Sequence, residues 1–186
     1  MVRISRGSAR VSDHPALPIS DESAYLHLLI NHVPVILAPI GFVAALLGLV
    51  TKRRTVWLYA LATLTLAGLS AYPVMATGDE ASHFVRQHVA NVDRDAIESH
   101  EESGDTVMWI LLVGGALAAY GWWRLSRRDA LPLPMWLAGL ILLTALGSTI
   151  GVTITSLKGG EIIHKEAHLP PGTPPINAST APQPAD

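Results

Sequence analysis

The stretch LPMWLAGLILLTALGSTIGVTITSL, which runs from Leu133 to Leu157, contains no charged residue. A helix needs about 20 residues to cross the hydrocarbon of a bilayer, so this stretch is long enough. Its apolar residues follow one another without the alternation that marks a membrane β-strand. Three more stretches share these properties: Tyr25–Val50, Val56–Thr77 and Thr106–Trp123. As helices, these four segments would have no polar face to present to water. We therefore predict an all-α, integral membrane four-helix bundle.

The composition of the whole chain agrees with a membrane protein. Of its 186 residues, 49% are hydrophobic and 15% are charged, whereas a typical soluble domain has about 25% charged residues. The net charge of −2 and the lack of a basic block argue against nucleic acid as a partner and favour the lipid bilayer. The chain has no cysteine, which excludes disulfides, iron–sulfur clusters and thiolate metal sites.

The positive charges next to the apolar stretches predict an orientation. The first and third loops carry Lys52, Arg53 and Arg54, and Arg124, Arg127 and Arg128. Positively charged loops stay in the cytoplasm, so we expect both termini and the middle loop on the extracytoplasmic side of a bacterial inner (cytoplasmic) membrane. We predict a flexible segment at 1–20, the four-helix transmembrane domain at 21–168 and a disordered, proline-rich tail at 169–186.

The middle loop, Gly78–Asp105, is predicted to be helical in part, with Asp93 as an N-cap. In the first apolar stretch, either Pro34 breaks the helix or Asn31 caps a helix that starts at His32. The pair Gly159-Gly160 is expected to end or loosen the fourth helix.

The histidines are the most informative polar residues. Apart from His14, they lie next to those ends of the four stretches that the topology places outside: His27, His32, His83, His88, His100, His164 and His168. Carboxylates accompany them, notably Asp79, Glu101 and Glu166. Imidazoles and carboxylates at one end of a bundle are typical of a metal or haem site. Because His27 and His32 are five residues apart, they point about 140° apart on a regular helix.

Four short motifs resemble those of a group of small bacterial four-helix membrane proteins that carry a domain of unknown function. They are Leu26-His27 together with Asn31-His32-Val33-Pro34, Thr77-Gly78-Asp79, His100-Glu101, and the segment from Gly159 to Glu166. The group's patterns are LH followed by NHLPV, TGE, HE and GGxIxHxE, so Asp79 stands here where the group has Glu, and Ile163 where it usually has Arg. The resemblance implies that seven residues matter together: His27, His32, Asp79, His100, Glu101, His164 and Glu166.

Three functions remain open from the sequence. The first is a b-type cytochrome, in which haem b is bound by two of His27, His32, His100 and His164, with a periplasmic redox protein or other membrane subunits as partners. The second is a non-haem site for iron, zinc or copper, held by His27, His32, Asp79, His100, Glu101, His164 and Glu166. The third is a structural or assembly subunit. Whether the protein is an enzyme, and which residues would be catalytic, stays open.

Overall fold

Five helices account for the part of the chain that a computed structural model describes, which is residues 19–88, 93–127 and 132–163. They are α1 (Ile19–Ile30), α2 (His32–Thr51), α3 (Arg54–His88), α4 (Arg94–Ser126) and α5 (Met135–Ile163). Only Asn31 separates α1 from α2, and its backbone N–H donates to the His27 carbonyl at 3.0 Å. Residues 25–51 therefore form one span, and four helices are long and apolar enough to cross a membrane.

The four spans form a closed ring. α2 packs on α3, α3 on α4, and α4 on α5, and α5 returns to pack on α2. The short preceding helix α1 packs mainly on α3. The span formed by α1 and α2 is thus diagonal to α4 across the bundle. The predicted all-α four-helix bundle with candidate membrane spans is confirmed.

On α2, small residues face the bundle interior and large apolar residues face outward. On α2, Ala38, Gly41 and Ala45 are buried, whereas Ile36 and Leu47 are about half exposed. This is the reverse of a soluble helix, whose large apolar residues point inward. It is the pattern expected in lipid, where close backbone packing rather than burial from water holds helices together.

Two glycines allow the backbones of α3 and α4 to come close together. A Cβ atom added to Gly68 would lie 2.7 Å from Cα of Gly115 and 2.7 Å from the carbonyl oxygen of Leu111. Similarly, a Cβ atom on Gly151 of α5 would overlap the side chain of Val107 on α4. Glycines thus allow close helix packing at two places, Gly151 between α5 and α4 and Gly68–Gly115 between α3 and α4.

One helix end differs from the sequence prediction. Gly159-Gly160 was expected to end or loosen the fourth helix, and α5 does not end there but continues through both glycines to Ile163. The middle loop is mostly helical, because α3 extends to His88 and α4 begins at Arg94. Asp93 is the N-cap of α4, as predicted, and its Oδ1 accepts from the backbone N–H groups of Asp95 and Ala96. The N-terminal segment at 1–18, the proline-rich tail, His164 and Glu166 lie outside the described residues.

Candidate cofactor site

His27, on α1, is half-buried against α3. Its Nδ1 lies 2.9 Å from the carbonyl oxygen of Val74 and 3.3 Å from Oγ1 of Thr77. A carbonyl oxygen can only accept a hydrogen bond, so Nδ1 carries the proton. In the neutral imidazole, Nε2 then keeps its lone pair. This is the tautomer in which histidine binds a metal through Nε2 while a second hydrogen bond fixes the ring.

Gly78 provides the space in which the imidazole of His27 lies. In a helix, the side chain of a residue leans over the carbonyl four positions before it, because the Cα–Cβ bond tilts toward the N-terminus. Gly78 follows Val74 by four positions and has no side chain, so the Val74 carbonyl is open to His27. A Cβ atom at Gly78 would lie 3.0 Å from Cε1 and 3.3 Å from Nδ1 of His27.

His100, on α4, repeats this arrangement against α5. Its Nδ1 lies 2.9 Å from the carbonyl oxygen of Thr155, and the residue four positions later is Gly159. A Cβ atom at Gly159 would lie 3.0 Å from Cε1 and 3.3 Å from Nδ1 of His100. The distances match those at His27 and Gly78. His100 therefore also donates from Nδ1 and keeps the Nε2 lone pair.

The same arrangement, which we call a histidine seat, thus occurs twice. One seat lies between the first and second spans, and the other lies between the third and fourth. Each seat consists of a histidine on the first span of a pair, and a carbonyl and a glycine on the second. The roles of Gly78 and Gly159 were not predicted from the sequence, although a short sequence repeat contains both glycines. The pattern Gly-x-Glu-x-x-His occurs at residues 78–83 and again at 159–164.

The two seated histidines lie toward the same end of the bundle, on spans that are diagonal in the ring. Next to His100, Oγ1 of Thr155 is buried and has no hydrogen-bond partner among the described residues. A buried hydroxyl without a partner is costly and commonly marks a place where a bound group or water belongs.

The other residues predicted for the site do not join this pair. The side chain of His32 is exposed, and its Nδ1 lies 2.7 Å from the Leu28 carbonyl of the preceding turn. Asp79 is also exposed. Glu101 accepts a hydrogen bond from Arg86 at 2.6 Å. In residues 19–88, 93–127 and 132–163, no group of three or more His, Asp or Glu side chains could hold a metal ion.

No protein-family model, curated protein or solved structure matches the chain. The resemblance to the four-helix group therefore stays a prediction. The argument for a function depends on the geometry of the two histidines and on the groups around them.

Proposed function

We propose that the protein is a membrane-embedded, b-type haem protein that transfers electrons, with His27 and His100 as the two axial ligands. The observation that carries the proposal is the repeated seat, which fixes two imidazoles with their Nε2 lone pairs free. A b-type haem in a helical bundle can be held by two imidazole nitrogens from different helices, while the porphyrin supplies the other four iron ligands.

The ligand count favours haem over the non-haem alternative. A zinc, copper or non-haem iron site takes three or four protein ligands, whereas the described residues include no group of three or more His, Asp or Glu side chains that could hold a metal ion. The groups available fit a haem. Two neutral imidazoles suit the iron, small residues line the neighbouring helix contacts, and the Thr155 hydroxyl can donate to a polar substituent.

The chain's own residues would determine the properties of the bound iron. The hydrogen bonds from Nδ1 to the Val74 and Thr155 carbonyls orient the rings and make each imidazole a stronger electron donor. Haem supplies the one-electron chemistry. We propose the extracytoplasmic end of the bundle as the location of the site, where a periplasmic redox protein or another membrane subunit would exchange electrons with it.

Absorbance of the purified protein tests the proposal. The wild-type protein, produced in haem-replete cells, should show a Soret band and the spectrum of a six-coordinate, low-spin haem. His27→Ala and His100→Ala should each lose bound haem or the low-spin signature. His32→Ala is the matched control, because His32 forms the same kind of Nδ1–carbonyl hydrogen bond but is exposed; it should keep the spectrum.

Three outcomes would overturn the proposal. A colourless wild-type protein that contains stoichiometric zinc, copper or iron would support the non-haem alternative. A colourless protein without metal would support a structural or assembly subunit. A haem spectrum that His32→Ala abolishes and His27→Ala leaves unchanged would show that another histidine pair binds the iron.

A further inference from the structure

Arg86 and Glu101 form an ion pair between α3 and α4, one residue from His100. Nη2 of Arg86 lies 2.6 Å from Oε2 of Glu101, and both side chains are 32% exposed. Exposed ion pairs contribute little to stability. Stability therefore gives little reason for this half-buried ion pair, and its position next to His100 indicates a role in the site.

A second cation approaches the same turn of α4 from the opposite neighbour. Nζ of Lys158, on α5, donates to the carbonyl oxygen of Ser99 at 3.1 Å. The residues on both sides of His100, Ser99 and Glu101, thus each receive a cationic side chain from an adjacent helix. A guanidinium has five N–H donors and an ammonium three, so these contacts leave donors on both cations for a further acceptor.

The seat of His27 has a different chemical character. The residues on both sides of His27 are Leu26 and Leu28, which are exposed and apolar. The turn of α4 around His100 thus receives two cationic side chains, whereas the residues next to His27 in the chain are apolar. Haem has the same asymmetry, since its two propionates lie on one edge of a ring that is otherwise apolar.

We infer that Arg86 binds a propionate carboxylate of the haem, and that Glu101 occupies this position when no haem is bound. The inference rests on the proposed function and adds the residue that recognises the charged edge of the group. Arginine forms paired, charge-assisted hydrogen bonds with a carboxylate, so a propionate can replace Glu101 with little change in geometry. On binding, Glu101 moves away from Arg86 toward water.

Substituting each residue of the ion pair separately gives two variants, each of which is a control for the other. Arg86→Gln and Glu101→Gln both break the contact between α3 and α4, and both keep a side chain of similar size. Only the first removes the proposed propionate partner, whereas the second removes the carboxylate that competes for it. A purely structural ion pair would make the two variants alike.

The experiment measures the dissociation constants of apoprotein for haem and for haem dimethyl ester, whose propionates are neutral. We expect Arg86→Gln to weaken haem binding about tenfold or more, which is the effect of losing a hydrogen bond to a charged group. Glu101→Gln should bind haem as tightly as the wild type or more tightly. Both variants should bind the dimethyl ester like the wild type, and Arg86→Lys should keep part of the preference for haem.

The possible failures are distinguishable. Equal weakening by Arg86→Gln and Glu101→Gln would show that the ion pair only joins the helices. Haem binding that Arg86→Gln leaves unchanged would overturn the inference while the haem function stands. A wild-type protein that binds neither haem nor its ester would overturn the proposed function and the inference together.

Discussion

At the scale of single residues, the site depends on glycines as much as on histidines. Gly78 and Gly159 each uncover a carbonyl that holds an imidazole through Nδ1. A histidine held in this way has one tautomer and one ring orientation, which lowers the entropy lost when Nε2 binds a metal. The glycines are therefore positioning residues, and any side chain there would move the ring.

Alanine at Gly159 tests this role. Gly159→Ala would place a Cβ atom 3.0 Å from Cε1 of His100, whereas a Cβ atom at Gly160 meets nothing within 4 Å. We expect Gly159→Ala to weaken haem binding about tenfold, as is usual when a group that orients a ligand is disturbed. Gly160→Ala is the control, since both changes bring the same gain in helix propensity.

Haem titration and the low-spin spectrum of both variants provide the measurement. Gly160→Ala should match the wild type in affinity and spectrum. Equal affinities in the two variants would contradict the positioning role of Gly159.

At the scale of helices, small residues decide which spans pack together. Gly68 and Gly115 allow the backbones of α3 and α4 to touch, and Gly41 on α2 accommodates the side chain of Leu64 on α3. Large apolar residues on the outer faces contribute little to association, because lipid chains are as apolar as leucine. The contact of α3 with α4 also brings Arg86 to Glu101, so helix packing and the site are connected.

Alanine at Gly68 tests the helix contact. Its Cβ atom would lie 2.7 Å from backbone atoms on α4, which cannot rotate away. We expect Gly68→Ala to lower the free energy of unfolding in detergent by about 1–3 kcal/mol, the usual cost of overpacking.

Gly139→Ala, on α5, is the control, because a Cβ atom there meets nothing within 4 Å. It should leave the free energy of unfolding unchanged or raise it by up to about 1 kcal/mol. A decrease of similar size in both variants would show that α3 and α4 tolerate a wider spacing.

At the scale of the whole molecule, the direction of the spans determines which side of the membrane the site faces. The histidine seats lie toward one end of the bundle, and the basic residues Lys52, Arg53 and Arg54 lie at the other. Positively charged loops are retained in the cytoplasm, so the site is expected to face the extracytoplasmic side.

The lack of native cysteine makes this orientation simple to test with single-cysteine variants. Ser82→Cys lies beyond the seat of His27 on α3, and Ser126→Cys lies at the opposite end of the bundle, at the end of α4. In cells with an intact inner membrane, a membrane-impermeant thiol reagent should label Ser82→Cys and not Ser126→Cys. Disruption of the membrane should make Ser126→Cys reactive, and the reverse pattern would show the opposite orientation.

The number and type of the spans follow from the sequence, and so do several local details. Long apolar runs without charge, and without the alternation of a membrane strand, favour helices that can cross a bilayer, which is a property of composition and length. The N-cap at Asp93 also follows from local chemistry, whereas Asn31, the other candidate cap, has a helical backbone conformation and makes no side-chain capping hydrogen bond. Gly159-Gly160 does not end α5, because α5 packs against His100 there and such tertiary contacts override the weak helix propensity of glycine.

The sequence by itself determined a charge-poor chain with four candidate membrane-spanning helices, histidines near one end of them and no cysteine. Only the tertiary structure distinguished among those histidines: His27 and His100 lie against a carbonyl and a glycine of the next span, whereas His32 is exposed. Residues about 50 positions apart form each seat. Such contacts depend on how the helices are rotated against each other, and that rotation is set by packing of small residues along the whole interface.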